Sequence, residues 1–426
     1  MLRVLKYPTY RRLFTAQVVA LVGTGLATVA LGLVAYDLNP ADAGGVLGTA
    51  LAIKMVAYVV VAPLAAAAVA RLPRKWVLIG SDALRLVVAA SLPFVGEVWQ
   101  VYVLIFVMQA ASATFTPTFQ SVIPDVLKDE DDYTVALSLS RLAYDLESIL
   151  SPVFAAALLL LVPSSALFFG TAVGFAGSAL LVAAAIIPRR GGEDAGERPQ
   201  LPFGNRARRG AELFVRTAEL RPILLLNLAV AAAGAFVLVQ TVVIVRTTFG
   251  QDENVVPLLL AANGLGSIAA AIALPRVLRR LPERRVMLTG GVALTVAVGL
   301  APLALGIAQP AWGLVAVGLL WFLVGLGWST VETPVGRIIR RNVPAADLPD
   351  AFAAQFSLSH ACWLITYPLA GWLGTTGLSA TALVLTGVAG AATLAAARLW
   401  PTTEPARDTA DDTTQQDTTS RDTAAG

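Results

Sequence analysis

Long apolar stretches alternate with short polar connections along almost the whole of this chain. Twelve of them, at 12–36, 45–69, 76–95, 99–123, 134–161, 165–187, 222–246, 254–275, 285–306, 311–335, 350–374 and 377–399, are long enough to cross a bilayer, which takes about 20 residues of helix. The pattern predicts helices, because a helix satisfies its own backbone hydrogen bonds in lipid. The connections also repeat. Arg71-Leu72-Pro73-Arg74-Lys75-Trp76-Val77-Leu78 returns as Arg280-Leu281-Pro282-Glu283-Arg284-Arg285-Val286-Met287-Leu288, and the segment from Pro117 to Pro124-Asp125 has a counterpart from Pro334 to Pro344. A membrane chain that writes its basic loops twice is built from two copies of one helical unit. The expected fold is an all-α membrane protein whose twelve transmembrane helices form two pseudo-symmetric six-helix bundles. Such repeats belong mainly to secondary transporters, where they enclose a substrate site near the bilayer midplane.

Composition agrees with a membrane chain. Of 426 residues, 57% are hydrophobic and only 14% charged, with mean hydropathy +0.72; a soluble domain carries about 25% charged residues. The expected layout is an N-terminal bundle over 1–187, a cytoplasmic linker over 188–221, a C-terminal bundle over 222–400 and a disordered cytoplasmic tail over 401–426. Within the linker, 205–220 reads as a helix on the membrane surface, with Glu212 and Arg216 one turn apart. The tail is rich in Thr and Asp and has almost no large apolar residue to bury.

Arg and Lys gather in the N-terminus, the linker and the loops after the second, eighth and tenth spans, while the opposite side offers only Arg246. The excess of positive charge on one side predicts that both termini are cytoplasmic, in a multi-pass protein of the bacterial cytoplasmic (inner) membrane. The first apolar run is too long for a cleaved signal and reads as a retained helix. Cys362 is the only cysteine, so no intrachain disulfide can form. Net charge is +3, and without a basic soluble domain no nucleic-acid partner is expected.

The stretch Arg11-Arg12-Leu13-Phe14 to Gln17, followed by Gly23 and Ala30-Leu31, resembles the first helix of the bacterial exporter branch of the major facilitator superfamily, which includes enterobactin and macrolide exporters. Ala66 to Lys75 is similar to the superfamily's loop motif G-x-x-x-D-R-x-G-R-[RK]: Arg71, Arg74 and Lys75 match, whereas Ala66, Ala70 and Pro73 stand for Gly, Asp and Gly. The resemblance implies that this loop gates the transporter, with Ala70 in place of the aspartate that helps lock it. Ser151-Pro152-Val153-Phe154-Ala155-Ala156 stands where antiporters show G-P-x-x-G-G, and its small residues still permit close packing. Thr24 stands where many relatives carry an acid.

Ionisable residues inside a bilayer are costly and mark functional candidates. On the fifth span Arg141 and Asp145 are one turn apart and can pair, which leaves Glu147 as an unpaired acid about 20 Å along the helix. Desolvation favours its protonated form, as a proton carrier needs. Glu147, Asp145 and the sole histidine, His360, are the proton-coupling candidates; the alternative for each is structural pairing between helices. Lys54, mid-way along the second span, is either a counter-charge to a substrate anion or to Glu147, or a snorkelling side chain. Gln17, Gln109, Asn227, Gln240, Asn263 and Gln355 lie on helices that line the cavity in relatives, and otherwise serve as interhelical hydrogen bonds. Asp82 and Arg85, three apart on the third span, read as a local pair bracing the basic loop. Glu332 is expected to pair with Arg337, Arg340 or Arg341.

There is no phosphate-binding G-x-x-x-x-G-K-[ST] motif and no zinc-ligand spacing, so neither an enzyme nor a cofactor or metal site is expected. The reading is a secondary active transporter exporting a small amphipathic organic compound, drug-like or siderophore-like, against protons by alternating access. An importer, a metal-cation exporter using His360 and Cys362, and a non-transporting receptor or scaffold are the alternatives. Partners are a small-molecule substrate, protons and the lipid bilayer, and the chain is expected to act as a monomer.

Overall fold

A computed structural model describes residues 2–61, 72–187, 212–344 and 347–401. Arg71, the Ala66 and Ala70 positions, most of the linker and the tail lie outside the described residues, as do the side chains of Arg141 and Asp145. Twelve long helices follow one another: α1 (Pro8–Leu38), α2 (Ala43–Val56, continued by a π-helical turn Ala57–Val61), α3 (Arg74–Ser91), α4 (Val98–Val126), α5 (Glu130–Leu159) and α6 (Leu167–Ala184). The second set is α7 (Arg221–Val243, continued by a π-helical turn Ile244–Thr248), α8 (Val255–Val277), α9 (Glu283–Gly299), α10 (Pro310–Glu332), α11 (Leu348–Gly374) and α12 (Leu378–Leu399). Ten of these are long and apolar enough to cross a membrane. The other two, α5 and α11, carry Glu147 and His360.

Helix ends follow from local chemistry. Pro8 and Pro222 open α1 and α7, where the missing N–H has no partner to lose. Glu97 and Gln100 form a capping box at the start of α4, and Asp129 accepts from the Asp132 amide at 2.9 Å to cap α5. One helix was not expected: Val335–Asn342, just after α10. It buries Val335, Ile338 and Ile339 and exposes its arginines. Within the linker, a short helical stretch contains Glu212 and Arg216, which pair at 2.6 Å.

The two halves pack alike. In the first, α1 packs on α5 and α6, α3 on α4 and α6, and α2 on α4; in the second, α7 packs on α11 and α12, α9 on α10 and α12, and α8 on α10. The halves meet through α2 against α11 and α5 against α8, which exchange under the same repeat. This is the pseudo-symmetry the duplicated loops predict.

One face of the molecule is basic. There Lys75 donates to the carbonyl of Ala185 at the end of α6 (3.0 Å), Arg74 pairs with Asp125 at the end of α4, and Arg3 pairs with Asp132 at 2.8 Å. In the second half Arg284 reaches the carbonyl of Ala397 at the end of α12 (3.4 Å). Arg337 and Arg341 both pair with Glu283, at 3.5 and 3.0 Å. Glu283, one residue beyond the turn, therefore takes two of the arginines expected to serve Glu332.

Asp82 and Arg85 are buried more deeply than a loop brace requires. Their ion pair is fully enclosed, Ser178 of α6 donates to Asp82 at 2.7 Å, and the Arg85 guanidinium lies 4.4 and 4.5 Å from the rings of Phe115 and Phe175. The pair joins α3, α4 and α6. Asp82→Ala would leave the guanidinium buried without its carboxylate, which costs about 3–5 kcal/mol, whereas an apolar replacement of both partners is close to neutral. The Asp82→Ala protein should melt well below wild type in detergent, and Asp82→Ala with Arg85→Leu should recover most of the loss. Equal melting of the single variant and wild type would contradict this account.

Candidate transport site

A narrow recess, partly open to its surroundings, lies between α1, α2 and α4. Thr24, Thr28, Lys54 and Gln109 are its polar lining residues, and Leu31, Leu51, Ile105 and Met108 apolar ones. Thr24 and Thr28 donate to carbonyls one turn back, at 3.0 and 3.1 Å. Gln109 is only 5% exposed, and its Oε1 has no hydrogen-bond partner. A buried acceptor without a donor is a cost unless a ligand or water fills the role.

Beyond Lys54 lies Glu147 of α5. The two attract one another electrostatically, yet no direct ion pair within 4.0 Å joins them among the described residues. Glu147 accepts from Ser151 at 3.4 Å and lies against Gly25 of α1: a Cβ there would come within 2.6 Å of Glu147 Oε1 and overlap Ser151. The absent side chain at Gly25 thus makes the room in which the carboxylate sits. His360 of α11 also feels Lys54, and Tyr58 feels Glu147. The His360 ring lies 4.0 Å from that of Phe356 and 5.7 Å from that of Tyr58, with Nδ1 2.7 Å from the carbonyl of Phe356. A carbonyl only accepts, so Nδ1 carries a proton and Nε2 is left for exchange. Lys54, Tyr58, Glu147 and His360 therefore form one electrostatic cluster that spans both halves of the molecule.

The other polar residues singled out from the sequence divide by role. Gln17 accepts from Ser140 at 3.0 Å and ties α1 to α5. Asn263 donates to the carbonyl of Trp321 at 3.2 Å and ties α8 to α10. Gln240 donates to the carbonyl of Ala370 at 2.6 Å, inside the contact between α7 and α11. Asn227 is buried with neither amide atom partnered, and Gln355 keeps an unpartnered oxygen; neither lines the recess. Tyr58, Phe356, Asp125 and Glu283 were not singled out. Tyr58 was findable, since it lies one turn beyond Lys54.

On the face opposite the basic one, the halves are locked. Gly48 and Gly371 bring the backbones of α2 and α11 together, Trp372 donates to Thr49 at 3.1 Å, and Thr247 donates to Tyr36 at 3.3 Å. Arg246, the single basic residue on that side, lies 5.3 Å from the Tyr36 ring.

Two bundles joined by α2–α11 and α5–α8, with an ionisable cluster at the junction, suit alternating access. The sequence matches the Major Facilitator Superfamily over residues 13–331 and again over 224–423. The chain belongs to that superfamily. Membership makes it a multi-pass membrane transporter rather than an enzyme. It is 24% identical over 327 residues to the uncharacterized MFS-type transporter YfiS of Bacillus subtilis (strain 168), covering 74% of this chain and 76% of YfiS. Among solved structures, the nucleoside transporter NupG superposes with TM-score 0.70 at 12% identity, covering 93% of this chain and 100% of that one. A POT family transporter in complex with 5-aminolevulinic acid gives 0.67 at 11% identity over 92% and 96%. A bacterial metal transporter gives 0.63 at 13% identity over 94% and 99%. At these identities the likeness is one of fold.

Proposed function

We propose that this superfamily member is a proton-coupled exporter of a small amphipathic organic compound, working by alternating access with Glu147 as the proton carrier. The observation that carries this reading is the setting of Glu147: a carboxylate deep in the bundle, faced by Lys54 and roofed by Gly25. A proton moving through the membrane potential supplies about 2.3 kcal/mol per 100 mV, enough to drive a substrate uphill. The recess beside Lys54, lined by both polar and apolar side chains, suits an amphipathic molecule. The exporter-like first and fifth helices support the outward direction. The rocking motion would pivot on the α2–α11 and α5–α8 contacts, with Arg74, Lys75 and their partners steadying the basic face. Both termini would lie in the cytoplasm of a bacterial cell, with the chain a monomer in its inner membrane; a reporter fused after Trp400 should be active inside the cell, and activity only outside would contradict this.

Lys54 favours a second reading. If the substrate is an anion, Lys54 can leave Glu147 for it, and a proton on Glu147 then helps the substrate bind. Proton and substrate would travel together, which under a normal proton gradient means import. A metal cation draws no such support: among the described residues no three His, Cys, Asp or Glu side chains group to hold one.

The test starts from a deletion strain screened against drugs, siderophores and metals, followed by flux of the hit in proteoliposomes. Exchange requires that protons compete with substrate, so acidification on the substrate side should raise the apparent KM. A lowered KM would mean co-transport and the second reading. Substrate flux without any proton movement would defeat both.

A further inference from the structure

We infer that the arginine cluster around the short helix Val335–Asn342 is a binding site for the headgroup of an anionic phospholipid. The helix follows α10 directly, so it lies at the end of a membrane-spanning segment. It turns Val335, Ile338 and Ile339 into the bundle and Arg337, Arg340 and Arg341 outward. Glu283 accepts from both Arg337 and Arg341, which brings the start of α9 against this helix, with Arg280 in the turn before it and Arg284 and Arg285 in its first turn. Two arginines thus converge on one glutamate, with Arg280, Arg285 and Arg340 close to them in the chain. Glu332 and Asp347, beyond the two ends of the helix, have partners of their own.

Arg337 and Arg341 keep 61% and 52% of their side chains exposed even while paired, and Arg280, Arg285 and Arg340 are exposed outright. Setting topology needs only positive charge near the ends of the spans. It does not need arginines gathered by a largely buried glutamate on the outer side of an amphipathic helix. Guanidinium groups match phosphate oxygens in geometry as well as charge. Leu281, 44% exposed beside Arg280, offers an apolar contact at the same corner. A soluble phosphate would meet the same guanidiniums but would gain nothing from Leu281 or from the membrane boundary.

The site also touches the moving parts. Gly336 faces Phe352 near the start of α11, where an added Cβ would come within 3.9 Å of the ring, and Glu283 opens α9. A lipid held here would brace the basic ends of α9, α10 and α11 against one another.

The purified full-length protein in detergent is titrated with phosphatidylglycerol or phosphatidylcholine, and bound lipid is counted by native mass spectrometry. Wild type should retain phosphatidylglycerol in preference to phosphatidylcholine. Each arginine near an anionic surface contributes ~1 kcal/mol, or about fivefold. Arg280→Gln with Arg285→Gln and Arg340→Gln, none of which breaks the Glu283 pairs, should therefore weaken phosphatidylglycerol binding by roughly tenfold or more. The same three positions as Lys should keep most of it. Lys6→Gln with Arg11→Gln, on the basic face of the other half, should change it little. Equal loss in the Lys6 and Arg11 variant, or no loss in the triple Gln variant with an unchanged melting temperature, would overturn the site. Displacement of phosphatidylglycerol by inorganic phosphate would reassign it to a soluble anion and overturn the lipid.

Discussion

Glu147→Gln should abolish substrate accumulation driven by a proton gradient while leaving substrate exchange intact. The amide keeps the shape of the carboxylate and can still accept from Ser151, and it fits the space that Gly25 leaves. What it cannot do is gain and lose a proton. One pH unit and 100 mV together amount to about 3.7 kcal/mol for one proton, enough for a roughly 500-fold concentration ratio of a neutral substrate. With the carrier removed that ratio should fall to about one, and counterflow across proteoliposomes should persist and lose its dependence on pH near neutrality. Lys54 keeps its own charge in this variant, so weaker substrate binding would be a second, separable effect. Normal gradient-driven accumulation by the Glu147→Gln protein would remove this residue from the coupling role. Asp145 and His360 would then be the next to test.

The architecture was legible in the sequence because its cause is one-dimensional. A span must be apolar for about 20 residues, so the ends of α4, α7 and α12 lie within a few residues of the apolar limits. The repeated Arg71 and Arg280 loops announced the duplication, since loop chemistry is local. Side-chain partnerships were less legible, because they depend on how helices rotate about their axes. Glu147 and Lys54 are 93 positions apart in the chain, and their proximity follows only from α2 and α5 flanking α1. Gln240 and Asn263 looked like cavity residues by helix membership, but helix–helix contacts claim their amide N–H groups. The Val335–Asn342 helix escaped notice because eight residues with three arginines read as a polar loop. Its amphipathic period matters only once a bundle lies beneath it. Asp82 and Arg85 were correctly seen as a pair, yet their depth required the two phenylalanine rings that α4 and α6 supply.

Gly48→Leu combined with Gly371→Leu should hold apart the face opposite the basic one and stop transport. At this seam the backbones of α2 and α11 meet without side chains between them. A Cβ on Gly48 would lie 2.6 Å from the Tyr367 carbonyl oxygen and 3.0 Å from the Gly371 Cα, and one on Gly371 would lie 3.1 Å from the Gly48 Cα. These contacts are with backbone, so no rotamer change relieves them, and the halves themselves must separate. Overpacking typically costs about 1–3 kcal/mol per site. Two sites therefore shift the balance between closed and open by roughly 30-fold or more, against the ~5.5 kcal/mol that takes a 99:1 population to 1:99. Separation also breaks the Trp372–Thr49 and Thr247–Tyr36 hydrogen bonds, which removes what would otherwise pull the seam shut. The helices themselves are untouched, so the variant should insert, purify and melt close to wild type while transport falls at least tenfold. Spin labels at Ala41→Cys and Asp252→Cys, placed after Cys362→Ala removes the only native thiol, read the opening directly. The expected result is a longer and broader distance distribution than in the parent with both glycines. An unchanged distribution alongside lost transport would mean that the glycines matter for packing within the seam and not for the movement of the two halves.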